Sequence, residues 1–331
     1  MLRIFHGTKY DFIKPWRIAV GLTIAFIAIG LVYLGIHGGI NRSIEFTGGT
    51  LMQLEFTQPP NVADIRTTVD AAGYPNSEIQ QFGGSREFTV RAAGHAAVGG
   101  AAVENTATQI QAALERRFGP TNLKVVRTEI VGPRVGEELT RNAIIAILLS
   151  LVVTMIYLAI RFEWRFGVAA VIATAHDLLS TLAFLAIMRL EVSLTVIAAL
   201  LTVIGYSLND TIIIFDRVRE DLKKNRTDSL YVVLNKSINE TLPRSVLTHV
   251  TVAAATLSLL LFAGEVIRPF SWIMLFGIVT GTFSSIYVAG PVLLWIERKW
   301  PRARSDKNLA SRAAAKDASR SEPRAPVAST R

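Results

Sequence analysis

The stretch Val192–Ile214 reads VSLTVIAALLTVIGYSLNDTIII, and it is mostly apolar, with its most polar residues near its end. A helix needs about 20 mostly apolar residues to cross roughly 30 Å of hydrocarbon. This stretch meets that requirement and holds one ionisable acid, Asp210, about one helical turn before the charged residues that follow. The pattern predicts a membrane-spanning helix that carries a buried acid.

Apolar runs of the same kind recur along the chain. Half of its 331 residues are apolar and only 18% are charged. Soluble domains have about a quarter of their residues charged. The other predicted spans are Ile18–Ile36, Asn142–Ile160, Phe166–Met188, Val246–Ala263 and Phe270–Ile296. The first run is too long for a signal-peptide core, and no A-x-A cleavage site follows it, so we expect a retained anchor. The sequence therefore predicts a polytopic α-helical membrane protein with six spans.

Basic residues account for the net charge of +9, and they lie beside the predicted spans. Such residues mark the cytoplasmic side of a membrane protein, so this placement disfavours a nucleic-acid partner. The four groups are Arg3, Lys9, Lys14 and Arg17; Arg161 and Arg165; Arg217, Arg219, Lys223, Lys224 and Arg226; and Arg298, Lys299, Arg302 and Arg304. With six spans all four fall on one side, which predicts that both termini are cytoplasmic.

These patterns divide the chain into segments. We expect a cytoplasmic segment over 1–17, the first span over 18–40, an extracytoplasmic domain over 41–140, three spans within 141–215, a cytoplasmic loop over 216–244, two spans within 245–296 and a disordered cytoplasmic tail over 297–331. Within the loop, Leu230–Leu242 has helical spacing, which predicts a helix on the membrane surface or against the bundle.

The predicted extracytoplasmic domain has six elements in the order β-α-β-β-α-β, which is typical of a ferredoxin-like α+β fold. Alternation predicts a strand over Ile44–Phe56, broken at Gly48-Gly49, and a final strand over Leu123–Val131. The remaining predicted elements are a helix from Asn61 to about Ala72 that stops at Gly73, a hairpin of Glu78–Phe82 and Glu87–Arg91, and a helix over Val103–Phe118. A Gly/Ala-rich stretch at 92–101 reads as a flexible link.

Ionisable groups inside spans are costly, at about 2.5–3.5 kcal/mol on insertion scales, so they mark candidate functional residues. Tyr206 and Ser207, at i−4 and i−3, share a face with Asp210 and are expected to hydrogen-bond it, with Asn209 adjoining. Burial raises the pKa of a carboxyl and a nearby cation lowers it, so such an acid is suited to load and release protons. The alternative is an interfacial acid that only caps the bundle.

Two further candidate sites are weaker. His176 and Asp177 lie in mid-span; because neighbouring helical residues point about 100° apart, we expect them to face different helices and not each other, in either a structural lock or a proton role. Arg244 precedes the fifth span at a depth close to that of Asp210. Judged on its residues alone it is an ordinary positive-inside arginine, and His249, one turn further in, is a weaker candidate of the same kind.

Several enzyme classes are disfavoured. The chain lacks H-E-x-x-H, G-x-x-x-x-G-K-[ST] and G-x-S-x-G, and without cysteine it has no disulfide, thiolate chemistry or cysteine metal site. An aspartyl protease needs two carboxyls that share a proton, and nothing in the sequence places Asp177 beside Asp210. Gly277 and Gly281 form a G-x-x-x-G pattern of the kind used in general helix packing. We therefore expect a protein that is not an enzyme and that has no cofactor or metal.

Several motifs, which occur in the same order along the chain, resemble those of bacterial SecD/SecF proteins. They are IEFTGGT at 44–50, VGPRVG at 131–136, RFEWR at 161–165, HD at 176–177 and GYSLNDTIIIFDRVR at 205–219. The resemblance covers roughly residues 10–300 but not the 92–101 link or the tail. The single extracytoplasmic domain and the GYSLND wording resemble the SecF branch.

The resemblance implies an RND-type six-helix half in the bacterial inner membrane. It implies that SecD supplies the other half, that the pair works beside the SecYEG channel, with SecA and YajC as further partners, and that proton flow drives late steps of preprotein export. It also implies that Asp210 and Arg244 take part in proton passage. Arg244 is therefore a stronger candidate than its residues alone suggest. Half of an RND exporter for small molecules or lipids is the alternative, although the chain lacks a second large loop, and a purely structural translocon scaffold is a third possibility.

Overall fold

The protein is a helical bundle with a small α+β domain attached at one end, as seen in a computed structural model that describes residues 8–75, 77–92, 101–224, 228–264 and 266–301. In chain order the elements are α1 (Trp16–Ile36), α2 (Ile44–Thr47), β1 (Gly49–Phe56), α3 (Val62–Ala71), β2 (Glu78–Gln81), β3 (Glu87–Ala92), α4 (Ala101–Phe118), β4 (Leu123–Val131), α5 (Pro133–Arg161), α6 (Trp164–Ile187), α7 (Leu194–Lys224), α8 (Leu230–Phe262), α9 (Arg268–Ser284) and α10 (Gly290–Lys299), with a π-helical turn at Ser285–Ala289.

Six helical stretches of the described residues are long and apolar enough to cross a membrane: α1, α5, α6, α7, α8 and the continuous α9–α10. The prediction of six spans is confirmed. α6, α7 and α9–α10 form the buried centre of the bundle, whereas α1, α5 and α8 leave broad apolar faces exposed. Such faces suit contact with lipid tails or with other membrane helices.

Three helices extend well beyond the predicted spans. α5 begins at Pro133, before the predicted start at Asn142 and inside the segment assigned to the domain. α7 continues to Lys224 and α8 begins at Leu230, so most of the expected loop over 216–244 is helical. Ser229 caps α8 by accepting a hydrogen bond from the Val232 amide, and Val233 and Leu234 are buried in the bundle core. The 230–242 helix therefore packs on the bundle as the first part of α8, and Pro243 lies inside the same helix.

The α+β domain between α1 and α5 has the expected fold. Its four strands form one antiparallel sheet in the order β2-β3-β1-β4, and α3 and α4 cover one face, with Met52, Val90, Ile65 and Ile110 in the core. Asn61 caps α3 by accepting from the Ala63 amide, and Gly73 ends it at φ +96°. Residues 93–100 of the predicted Gly/Ala link, and the tail from 302, lie outside the described residues.

The expected strand over Ile44–Phe56 is wrong in its first half. Ile44–Thr47 forms the single-turn helix α2, and β1 begins only at Gly49. Gly48 has φ +70°, and a Cβ there would lie 2.9 Å from the Pro133 Cα. The backbone therefore turns sharply against the start of α5, where only glycine fits both the space and the left-handed conformation.

A group of contacts that we call the clasp joins the domain to the bundle; it comprises residues 41–45, Arg91 and residues 191–194. The Val192 amide donates to the Asn41 carbonyl at 2.7 Å, and the Ser43 amide donates to the Val192 carbonyl at 2.9 Å. The Glu45 carboxylate accepts from the Leu194 amide at 2.6 Å, at the start of α7. The domain thus supplies an anionic partner for the first turn of a bundle helix.

Arg91 adds charge pairing to the clasp. Its guanidinium lies 2.5 Å from the Glu191 carboxylate and 2.8 Å from Glu78 on the neighbouring strand. Burial raises the pKa of Glu191, and the attraction of Arg91 opposes that rise without cancelling it. The protonated form of Glu191 is therefore favoured at a higher pH than for a glutamate in water.

Candidate functional site: an intramembrane polar layer

Asp210 on α7 faces α8. The carboxyl is 3% exposed, its Oδ1 accepts from the Ser245 hydroxyl at 3.2 Å, and its Oδ2 lies 3.1 Å from the Nε2 atom of His249. Ser245 and His249 are four residues apart, so they share one face of α8. The bundle therefore presents a basic imidazole and a hydroxyl to a buried acid.

The other nitrogen of His249 reaches a third helix. Its Nδ1 lies 2.8 Å from the Thr282 hydroxyl of α9, which also lies 2.9 Å from the Ile278 carbonyl. The Tyr206 ring centroid is 5.3 Å from that of His249, and the Tyr206 hydroxyl is buried without a hydrogen-bond partner among the described residues. Asp210, His249 and Thr282 thus form a continuous polar chain across α7, α8 and α9.

Asp177 on α6 forms a second buried group. Its Oδ2 accepts from the Ser207 hydroxyl of α7 and, at 2.6 Å, from the Ser284 hydroxyl of α9. Its Oδ1 lies 3.1 Å from His176 Nδ1. These donors tie α6, α7 and α9 together, which is the arrangement expected of the structural lock.

Three predicted partnerships are wrong. The Tyr206 hydroxyl, expected to bond Asp210, has no hydrogen-bond partner among the described residues. His176 and Asp177 do contact each other, because the 100° offset applies to their Cα–Cβ directions and the Nδ1 atom lies close enough to its own Cβ to reach an adjacent carboxylate. Ser207 bonds Asp177 and not Asp210. Three helical residues leave an offset of about 60°, enough for Ser207 to face α6 while Asp210 faces α8.

The remaining predicted site residues lie outside this polar layer. Asn209 is exposed on α7. Arg244 is exposed as well, and none of the ion pairs among the described residues includes it. It lines a cleft of about 1150 Å³ between α5, α7 and α8, together with Asp216, Arg217 and Glu240. The basic side chain that the structure places against Asp210 is thus His249 and not Arg244.

Sequence reasoning missed the hydroxyl partners Ser245, Thr282 and Ser284. Serine and threonine are common in membrane helices, so their presence alone indicates nothing. The i, i+4 spacing of Ser245 and His249 was the available signal, because it places a donor and an imidazole on one face of a span.

Comparison with known proteins assigns the family. A family profile described as the C-terminal part of protein export membrane protein SecD/SecF matches residues 110–299, and a second, the SecD/SecF GG motif, matches residues 34–60. The first match alone covers more than half of the chain. The chain belongs to the SecD/SecF family.

SecF proteins are among its similar relatives. Protein translocase subunit SecF of Gemmatimonas aurantiaca is 60% identical over 305 residues, which cover 91% of each chain. The subunit of the same name from Desulfurispirillum indicum is 43% identical over 86% of this chain and 90% of its own. This chain therefore matches SecF proteins along almost their whole length.

A solved structure of SecDF, a translocon-associated membrane protein from Thermus thermophilus, superposes with a TM-score of 0.77 at 36% identity over 88% of this chain. The chain spans only 39% of that longer SecDF chain. The GG motif of the SecD/SecF family includes Gly48 and Gly49, and here it forms the turn that packs α2 against α5.

Proposed function

We propose that this chain is the SecF-type subunit of the Sec preprotein translocase and that, with SecD, it uses proton movement to promote late steps of protein export. The relatives named protein translocase subunit SecF support the export role. The observation that carries the proton role is Asp210, a buried acid held between Ser245 and His249 inside a membrane bundle. An ionisable group at such a depth is a candidate for proton transfer.

We further propose that SecD supplies a second half of the bundle. The SecDF chain from Thermus thermophilus is more than twice as long as the part that this chain covers, which supports a partner of comparable size. The exposed apolar faces of α5 and α8 suit such a helix partner or lipid. SecYEG, SecA, YajC and an unfolded preprotein are the further partners we infer, and we assign no enzymatic step to the chain itself.

The proposed location is the bacterial inner membrane, with both termini in the cytoplasm and the sheet domain outside. Basic residues cluster at the end of the bundle away from the sheet, which supports this orientation. Arg161 pairs there with Asp216 at 3.4 Å, and Arg165 pairs with Glu297 at 3.1 Å. Arg244 lines the cleft at the same end and adjoins Ser245 in sequence, which supports a role for it where protons enter or leave.

An Asp210→Asn variant tests this function. We expect it to abolish the proton-dependent stimulation of preprotein export in membrane vesicles, because an amide holds a similar shape but cannot take up and release a proton. Asp228→Asn, at an exposed acid between α7 and α8, is the matched control and should leave the stimulation intact. Full stimulation in D210N vesicles would contradict the proton role.

A further inference from the structure

The hydrogen positions around His249 depend on how many protons the Asp210–His249 pair holds. A neutral imidazole has one N–H and one bare nitrogen, whereas an imidazolium has two N–H groups. The Nε2 atom faces the Asp210 carboxylate, so one hydrogen lies between those two groups, and the Nδ1 atom faces the Thr282 hydroxyl. Whether Nδ1 carries a hydrogen therefore depends on the number of protons that the pair holds.

Thr282 has one hydroxyl hydrogen and two acceptors within reach of it. When the hydrogen points to Nδ1, that nitrogen is bare and the pair holds its minimum of one proton. When the hydrogen points to the Ile278 carbonyl, Nδ1 must carry a hydrogen of its own and donate it to the Thr282 oxygen. Both arrangements satisfy every group, so adding one proton leaves no buried donor or acceptor unpaired.

We propose that Asp210, His249 and Thr282 form a three-helix proton relay in which His249 takes up and releases the exchangeable proton at Nδ1. On uptake, a proton from hydronium bonds to Nδ1, leaving water, and the Thr282 hydroxyl turns from Nδ1 to the Ile278 carbonyl. On release, Nδ1 returns the proton to water and the hydroxyl turns back. No bond between heavy atoms forms or breaks. The relay rests on the proposed proton-driven function and adds to it a second proton-carrying residue.

The surroundings of His249 are consistent with this assignment. The titratable groups that face it from α7 are Asp210 and Tyr206, and the group that faces it from α9 is the Thr282 hydroxyl. On its own helix Arg244 lies five positions away and is exposed. The charged residues of α10 lie at its C-terminal end, and the His176–Asp177 pair of α6 is bonded to Ser207 and Ser284.

Nitrogen NMR on the full chain in lipid nanodiscs tests the relay directly. The chain has five histidines, and a His249→Gln sample assigns the His249 signals by their loss. In the unaltered protein we expect Nδ1 of His249 to change from bare to protonated as the pH is lowered from 9 to 5. An Nδ1 that stays in one state over that range overturns the proposal, and this measurement needs no substitution in the relay.

Two variants separate a relay from a structural contact. Asp210→Asn replaces the carboxyl opposite His249 with an amide, so we expect the pH midpoint of the Nδ1 transition to change. Thr282→Val removes the hydroxyl that accepts from Nδ1–H, and the transition should change as well. Thr251→Val, at an exposed threonine of α8, is the matched control and should leave it unchanged. An unaltered transition in both relay variants contradicts the assignment.

Export assays complete the test. Glutamine keeps an N–H near the position of Nε2 but does not titrate, so we expect H249Q to lower proton-dependent export stimulation at least tenfold. His37→Gln, at an exposed histidine after α1, is the control and should behave as the unaltered protein. Full export stimulation in the D210N variant contradicts the proposed function even where Nδ1 titrates. A static Nδ1 in a chain whose D210N variant is inactive contradicts only the relay.

Discussion

Asp177 and Asp210 are both buried carboxyls, but their partners differ in kind. Asp177 accepts from two serine hydroxyls on two other helices and contacts His176 on its own helix. Asp210 accepts from one hydroxyl and faces an imidazole on α8 whose far side contacts α9. This difference supports the proposed proton-carrying role of Asp210, and we propose a holding role for Asp177.

The holding role predicts a stability effect for Ser284→Ala. The change removes one donor from the buried Asp177 carboxyl, which keeps Ser207, and the loss of one hydrogen bond costs about 0.5–1.5 kcal/mol. We expect the thermal unfolding midpoint in detergent to fall accordingly. Ser258→Ala, at an exposed α8 serine that bonds only the Ala254 carbonyl among the described residues, should leave the midpoint close to its original value. Equal midpoints for the two variants would argue against the holding role.

At this scale the sequence predicts that Asp177 and Asp210 are buried, but it predicts neither their partners nor the burial of Asp221 in the expected loop. The depth of Asp210 follows from counting apolar residues on both sides of it. Its pairing with His249 depends on the rotation of α8 relative to α7, which single-chain periodicity does not determine. The same uncertainty in rotation explains why Ser207 was assigned to the wrong aspartate.

At the scale of elements, glycines set the distance between α7 and α9. A Cβ at Gly277 would lie 2.3 Å from Val203 Cγ2, and one at Gly281 would lie 3.0 Å from Ser207 Cβ. The close approach brings Ser207 and Ser284 within reach of the same Asp177 oxygen. The G-x-x-x-G pattern therefore shapes the polar layer as well as the packing of the bundle.

Gly277→Ala should separate these helices. The added methyl has no space, and overpacking of a tight core costs about 1–3 kcal/mol. We expect a lower unfolding midpoint and reduced export activity. Gly21→Ala on α1, where no atom lies within 4 Å of an added Cβ, is the matched control and should be neutral or slightly stabilising. A G277A protein as stable as G21A would contradict the close-packing account.

The elements themselves follow from the sequence with few errors. Alternation and turn residues predict the hairpin of β2 and β3, and the Asn61 cap and Gly73 stop predict α3. The exceptions include α2, where contact with α5 overrides a strand-like pattern, and α8, where packing of Val233 and Leu234 on the bundle extends a span into a predicted loop. α5 and α7 also extend beyond their predicted spans.

At the scale of the whole molecule, the clasp connects the sheet domain to the helix that carries Asp210. Arg91 and Glu191 are 100 positions apart in sequence, and neither stands out from ordinary surface charge, so the sequence did not predict their pairing. Glu45 contacts the first turn of α7 in the same region. Domain and bundle therefore meet through charge and backbone pairing.

Arg91→Ala should loosen the clasp. The change leaves Glu191 without its cation, and loss of one partner of a partly buried pair costs about 1–3 kcal/mol after allowance for its exposure. We expect the Val192 and Ser43 amides to exchange with deuterium at least about fivefold faster. Arg127→Ala, at a strand arginine paired only with Glu129 among the described residues, is the control and should leave these amides unchanged.

The raised pKa of Glu191 gives the clasp a pH dependence. Because burial disfavours the charged form, ionisation of Glu191 lowers the stability of the folded state at pH values above the raised pKa. This cost disappears as the pH falls toward 4.5, the ordinary pKa of a glutamate. Glu191→Gln should therefore be at least as stable as the unaltered protein at pH 7, and its advantage should vanish near pH 4.5. Unfolding free energies at several pH values check this, and an advantage that grows on acidification contradicts it.

The contact between Glu45 and the start of α7 also bears on how members of this family are recombined. A chimaera in which the sheet domain is replaced by that of a relative keeps the helices of this chain. It loses Glu45, whose carboxylate binds the first turn of the fourth span, α7. The exchangeable unit is therefore larger than the ferredoxin-like fold. The exchanged segment has to be accompanied by residues 41–45 and 191–194 of the same parent. Otherwise the junction separates Glu45 from the start of α7 to which it binds.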